Sequence, residues 1–188
     1  DKKEIDIVGV CLHEKKRQKY TDEIVRVLNP DVVTIEFDSF KEEDLISKLK
    51  QLDCKIAFSI YFGYILSNDV INLFPKGIIN IHPAYLPYNR GSASNVFSIV
   101  DNTPAGVTMQ YIDEGIDTGD IIAQELIVKE SIDTGKSLFI KQEEKSIELF
   151  KNILPAIYES KISTITALTE KGTVHRHSDL FELDEIDL

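Results

Sequence analysis

The sequence predicts an α/β domain built on a mainly parallel, doubly wound sheet that ends in a late antiparallel hairpin. In the first half of the chain, short β-branched runs alternate with helical stretches, a pattern that calls for right-handed crossovers between parallel strands. In the second half, two longer strand patterns are joined by the Gly-containing connection DEGIDTG, which suits a looped hairpin.

Taken in order, IDIVGVCL (5–12) is the first strand, TDEIVRVL (21–28) a helix, DVVTIEF (31–37) a strand, EEDLISKLKQL (42–52) a helix and KIAFSIY (55–61) a strand. A short helix is expected over 68–74. The run GIINIHP (77–83) starts apolar and ends polar, as a buried strand does when it emerges at the sheet edge, where open α/β sheets place their chemistry. Residues 84–94 are rich in Pro, Tyr, Asn, Gly and Ser and read as a loop with defined turns. A helix over 95–100 follows, then the strands AGVTMQYI (105–112) and DIIAQELIVK (120–129). A long amphipathic helix is expected within 133–157, with apolar Leu138, Phe139, Ile147, Leu149, Phe150 and Ile153 among Lys and Glu. The tail from Ser163 is short and acidic at its end, and suits a strand or two. Because the chain opens almost directly on what looks like a second strand, a first strand and helix are expected to be missing from it.

Composition bounds the function. With 188 residues, 43% hydrophobic and 28% charged, the chain has the make-up of an ordinary globular protein, and no apolar run reaches the length of a bilayer span. The net charge of −11 opposes any binding mode that neutralises many phosphates. The densest basic cluster, Lys15, Lys16, Arg17 and Lys19, reads as a solvated turn. Cys11 and Cys54 lack paired spacing and are expected as buried free thiols in a reducing cytoplasm.

Three side chains carry chemistry. Asn80 and His82 lie two apart on the GIINIHP strand and therefore project to one face. Asp117 lies in GIDTGD. Acyl transfer to an amine needs a donor aimed at the developing oxyanion, an acid or base near neutral pH, and a carboxylate that orients the imidazole and takes the amine's proton. Asn80, His82 and Asp117 fit these roles in that order, although a histidine after a strand is more often a structural group. Arg90 follows a Pro-Tyr-Asn turn and suits either a phosphate contact or a brace for the loop. His175 and His177 are spaced to share a metal but lack further ligands nearby, so a surface strand is expected there. His13 reads as a loop histidine.

The stretches INIHPAYLPYNRG (79–91) and AGVTMQYIDEGIDTGDIIAQ (105–124) closely resemble the formyltransferase family, whose active site is assembled from an Asn-x-His-Pro strand end, a Leu-Pro turn and a later Asp-x-Gly segment. The resemblance runs from about residue 6 to 188. The PYNRG turn, the phrase TPAGVT with YIDEGIDTGDIIAQ, and the tail TVHRHSDLFELDEIDL look most like the sugar N-formyltransferases that act on nucleotide-linked amino sugars.

That resemblance implies a Rossmann-like fold, a catalytic domain over 1–160 with a short C-terminal extension over 161–188, and Asn80, His82 and Asp117 as catalytic residues. It implies N10-formyltetrahydrofolate as formyl donor, its pterin held mainly by backbone of FGYIL (62–66) and YIDEGID (111–117). Tyr64, Leu66, Ile112, Asp113 and Glu114 are the expected donor-site residues and Arg90 the expected substrate contact. A flat pterin with alternating donors and acceptors suits exposed backbone flanked by apolar walls such as Tyr64, Leu66 and Ile112.

The implied acceptor is the amine of a nucleotide-linked amino dideoxy sugar, met in the cytoplasm, with no metal, nucleic acid or membrane involved; monomer and homodimer both stay open. The alternatives are methionyl-tRNA or glycinamide ribonucleotide as acceptor, or a non-catalytic folate-binding domain. The −11 charge, with no segment large and basic enough to grip RNA, weighs against tRNA.

Overall fold

A computed structural model describes residues 6–14, 16, 20–37, 42–166 and 171–183. The described chain forms β1 (Gly9–Leu12), α1 (Thr21–Val27), β2 (Val33–Glu36), α2 (Glu42–Gln51), β3 (Ala57–Ile60), α3 (Asn68–Ile71), β4 (Ile78–His82) and β5 (Arg90–Gly91). Then come α4 (Ser94–Val100), β6 (Ala105–Tyr111), β7 (Ile121–Ile127), α5 (Gly135–Tyr158), β8 (Val174–His175) and a closing 3-10 helix (His177–Glu182). The strand-helix alternation read from the sequence is present. Strands are shorter than their apolar runs, and the helix expected over 68–74 ends at Ile71.

The chain divides into two compact units, Asp1–Ala57 with Phe62–Gly77, and Phe58–Tyr61 with Ile78–Leu188. In the first unit β1 and β2 pair in parallel, with Cys11 opposite Ile35. Ile35, Phe37, Leu45 and Val70 are buried there. Cys11 and Cys54 are free thiols, half-buried rather than fully buried as expected. Burial pushes the Cys11 thiol up to about 11, against the pull of nearby Lys48. Of the basic cluster, Lys16 forms an exposed ion pair with Glu14 at 3.2 Å; Lys15, Arg17 and Lys19 lie outside the described residues.

In the second unit, β3, β4, β6 and β7 stand side by side in that order. The expected late hairpin is the antiparallel pair β6–β7, with a bulge between Met109 and Gln110. Antiparallel pairing begins one ladder earlier than expected, because β4 also pairs antiparallel with β6. Ile79, Val107 and Met109 from these strands and Leu138 from α5 are completely or almost completely buried, each contributing roughly 1.5–3 kcal/mol by leaving water.

Helix α5 buries Leu138, Gln142, Ser146, Leu149 and Ile157 along one stripe, the three-to-four spacing that a helix needs to present a single face. It starts where Thr134 and Ser137 exchange hydrogen bonds between side chain and backbone, a cap that stabilises by about 1 kcal/mol. In the segment after α5, β8 pairs in parallel with β5, placing Arg90 opposite Val174 and Gly91 opposite His175.

Candidate active site

The end of β4 carries the candidate residues Asn80 and His82. Antiparallel register sets Asn80 opposite Gln110 and His82 opposite Thr108, so alternation along both strands brings these four polar side chains to one face. His82 is only 6% exposed, whereas Asn80 is half-buried.

After His82 the chain turns back over the sheet, and its polar groups are caught one by one. The Pro83 carbonyl accepts from Ser94 Oγ and from Gln142 Nε2 of α5. Thr108 Oγ1 accepts from Leu86 N at 3.1 Å and donates to Ala84 O at 2.7 Å. Gln124 Nε2 donates to Leu86 O at 2.8 Å and to Thr108 Oγ1 at 2.9 Å. These bonds come from four separate elements, α4, α5, β6 and β7, so the loop is fixed by the sheet and by both helices together.

Asp117 reaches the same place from the β6–β7 connection. Its Oδ2 lies 3.5 Å from His82 Nε2 and accepts from Gly91 N at 2.8 Å. Its Oδ1 accepts from Gln110 Nε2 at 2.9 Å. Asp117 takes a left-handed backbone, φ 51°, which short polar residues tolerate better than most. The second contact of His82 Nε2 is the Asn89 carbonyl at 3.1 Å. Asn89, also left-handed at φ 55°, is fully buried.

The structure thus brings His82 and Asp117 into contact and sets Asn80 on the same strand face as His82. It adds Gln110, Asn89 and the Gly91 amide, which sequence reading did not single out. A signal for Gln110 was present in the polar Thr108 and Gln110, two apart in an otherwise apolar strand. No local signal foretells the Asn89 carbonyl, because backbone atoms carry no residue identity.

Arg90 is on β5, its amide donating to Thr173 O at 3.0 Å. Ile112 is half-buried and Asp113 and Glu114 are exposed. Asp113 Oδ1 accepts from Gly115 N at 3.0 Å and from Thr118 Oγ1 at 2.6 Å, so this carboxylate braces the loop that presents Asp117. Tyr64 and Leu66 belong to the other compact unit. There Tyr64 lies among the rings of Phe37 at 4.4 Å, Phe62 at 5.2 Å and His13 at 5.4 Å. His13 Nε2 accepts from Gly63 N at 3.2 Å and Tyr64 N donates to Phe62 O at 2.9 Å. Two backbone donors of the FGYIL stretch are therefore already in use.

His175 stacks on Phe97, ring centroids 3.8 Å apart, and its Nε2 lies 2.8 Å from an Asp101 carboxylate oxygen. His177 is exposed and meets Phe181 edge-on. Among the described residues no three His, Cys, Asp or Glu side chains are grouped to hold a metal ion, and no helix is long and apolar enough to cross a membrane.

The family model for formyl transferase matches residues 3–153. The chain belongs to the formyl transferase family. Among solved members, the formyltransferase PseJ from Anoxybacillus kamchatkensis, in complex with UDP-4,6-dideoxy-4-formamido-L-AltNAc and tetrahydrofolate, superposes with a TM-score of 0.72 at 26% identity, covering 94% of this chain and 92% of that one. A 4-N formyltransferase from Francisella tularensis gives 0.69 at 28% identity, covering 97% and 84%. The methionyl-tRNA formyltransferase of Bacillus thuringiensis subsp. konkukian is 28% identical over 175 residues, 89% of this chain. This formyl transferase chain spans only 56% of that relative's length.

Proposed function

We propose that this formyl transferase chain moves a formyl group from N10-formyltetrahydrofolate to the amine of a nucleotide-linked amino dideoxy sugar. The observation that carries the reading is the contact of His82 with Asp117 at 3.5 Å, at the end of the strand that also presents Asn80. An amide donor, an imidazole and a carboxylate within one cluster are the groups that acyl transfer to an amine requires.

In the reaction the amine nitrogen bonds to the formyl carbon while the bond from that carbon to N10 breaks. Negative charge gathers on the formyl oxygen, where Asn80 and the His82 imidazole donate hydrogen bonds. Asp117 holds the imidazole and takes the proton released by the amine, and that same proton is passed on to N10 as it leaves. The two hydrogen bonds already made to the Asp117 carboxylate hold it in place for this exchange. Ile112, Asp113 and Glu114 are the residues proposed for the folate, and Arg90 for a substrate phosphate.

The sugar acceptor is supported by the solved formyltransferase that holds a UDP-linked formamido sugar, 92% of whose chain is matched here, and by the 4-N formyltransferase. It is also supported by charge: a sugar nucleotide presents two phosphates, which one or two cations can meet despite a net charge of −11. Methionyl-tRNA is the second reading, favoured by the 28% identical relative. It demands many phosphate contacts and a steep loss of activity with salt.

The test is an assay with N10-formyltetrahydrofolate against a panel of nucleotide amino sugars, glycinamide ribonucleotide and methionyl-tRNA across a salt series. Formylation of a sugar amine with shallow salt dependence is expected. Efficient, steeply salt-dependent formylation of methionyl-tRNA would overturn the sugar assignment.

A further inference from the structure

We propose that Thr173, in the C-terminal segment, is a positioning residue which acts through Asn89 to hold the proton of His82 on Nε2, leaving Nδ1 as the nitrogen that works on the substrate. The role given to Nδ1 rests on the formyl-transfer reading; the placement of the proton does not.

His82 Nε2 faces two oxygens, the Asn89 carbonyl at 3.1 Å and Asp117 Oδ2 at 3.5 Å. A peptide carbonyl has no proton to give, so a ring nitrogen at hydrogen-bond distance from it must be the donor. Nε2 therefore carries hydrogen whatever the charge on the ring. In the neutral imidazole this leaves the lone pair on Nδ1. In the charged form Nδ1 is the remaining donor for a developing oxyanion.

The Asn89 carbonyl stays on target because every polar group of that residue is engaged. Its amide N donates to Thr173 Oγ1 at 2.8 Å, and the same hydroxyl donates to Asn89 Oδ1 at 3.2 Å. Its Nδ2 donates to Thr103 Oγ1 at 2.8 Å. One hydroxyl thus serves two groups of a fully buried, left-handed residue. Thr173 is in turn tied down by Arg90 N on its carbonyl and, just beyond, by Ser92 N on His175 O. Just before it, a Cβ added at Gly172 would lie 1.8 Å from Pro87 O, so no side chain could intervene between the tail and the turn. A segment 84 residues away along the chain from Asn89 thereby becomes part of the support for His82.

The experiment is two-bond ¹⁵N–¹H correlation NMR on the imidazoles of the full chain, which contains four histidines. The His82 signals are assigned by their loss in His82→Gln, and spectra are taken above the pH at which the ring becomes charged. Native protein is expected to show His82 as the Nε2–H tautomer. Thr173→Val, which removes the hydroxyl at nearly constant shape, is expected to mix the tautomers and lower kcat about tenfold to a hundredfold with little change in KM for the formyl donor; Thr173→Ser restores both. Asn89→Gly keeps the carbonyl and tolerates the left-handed backbone but loses the side-chain bonds, and is expected to behave like Thr173→Val.

An Nδ1–H tautomer in the native protein would overturn the proposal, as would a folded Thr173→Val with native tautomer and native kcat. The NMR readout needs no substrate. Absence of formyl transfer to every acceptor would therefore sink the functional reading and leave the proton assignment standing.

Discussion

Gln110 donates from Nε2 to Asp117 Oδ1 at 2.9 Å from a position that is almost completely buried. The carboxylate can only accept, so the amide must turn its nitrogen toward it. With Gly91 N on the other oxygen, the carboxylate is held in plane by two donors from different elements. Gln110→Leu keeps the volume and removes one donor. It is expected to lower kcat roughly tenfold to a hundredfold, the worth of a hydrogen bond to a charged group. Unchanged kcat in a folded variant would show that Gly91 alone suffices to hold Asp117.

Asn80→Ala, His82→Ala and Asp117→Ala are each expected to lower turnover about a hundredfold to a thousandfold, the usual cost of an oxyanion donor, and to leave folate binding largely intact. Steady-state kinetics paired with equilibrium binding of a folate analogue separates the two effects. A variant that turns over near the native rate removes its residue from the proposed mechanism.

Gly91 has φ +88°, and a Cβ there would meet His175 O at 2.3 Å. Gly91→Ala must therefore strain the backbone or push β8 off β5. A cost of roughly 1–3 kcal/mol is expected, read as a thermal midpoint lowered by several degrees. Because Gly91 N also binds Asp117, activity should fall with it. An alanine variant with native melting would mean that β8 gives way at no cost.

Asp133, just ahead of the α5 cap, accepts from Glu130 N, Lys141 Nζ and Ser137 Oγ, each at 2.8 Å. The Glu130 amide first, then Lys141 and Ser137, hold its carboxyl down at about 2. A carboxyl lowered on folding stabilises the native state above its ordinary range near 4, and loses that contribution as pH falls through about 2. The stability gap between native protein and Asp133→Asn should thus be full at pH 7 and narrow progressively below pH 4. Urea midpoints for both at pH 7, 5, 4 and 3 measure it, and a gap constant down to pH 3 would contradict the assignment.

The elements legible in the sequence are those whose information is local. Alternation marked β4 and put Asn80 and His82 on one face; the GIDTGD connection placed Asp117 at a hairpin, and the amphipathic stripe located α5. What could not be read depends on atoms without sequence identity or on pairings far apart in the chain. The Asn89 carbonyl and Gly91 amide are backbone groups, and Thr173 reaches Asn89 across most of the second unit. The tail's strand was foreseen without its partner, since a two-residue ladder such as β5–β8 has no periodicity to detect.

The left-handed backbone at Asp117 narrows what can replace it. Asparagine adopts that conformation readily, nearly matches aspartate in shape, and offers an amide oxygen to Gly91 N. Gln110 Oε1, which has no hydrogen-bond partner among the described residues, can turn to accept from the new amide. Asp117→Asn is thus expected to preserve the loop while removing the carboxylate proposed to take the proton. Under the proposed mechanism this one substitution would turn the site into a trap that holds donor and acceptor side by side as a stalled complex.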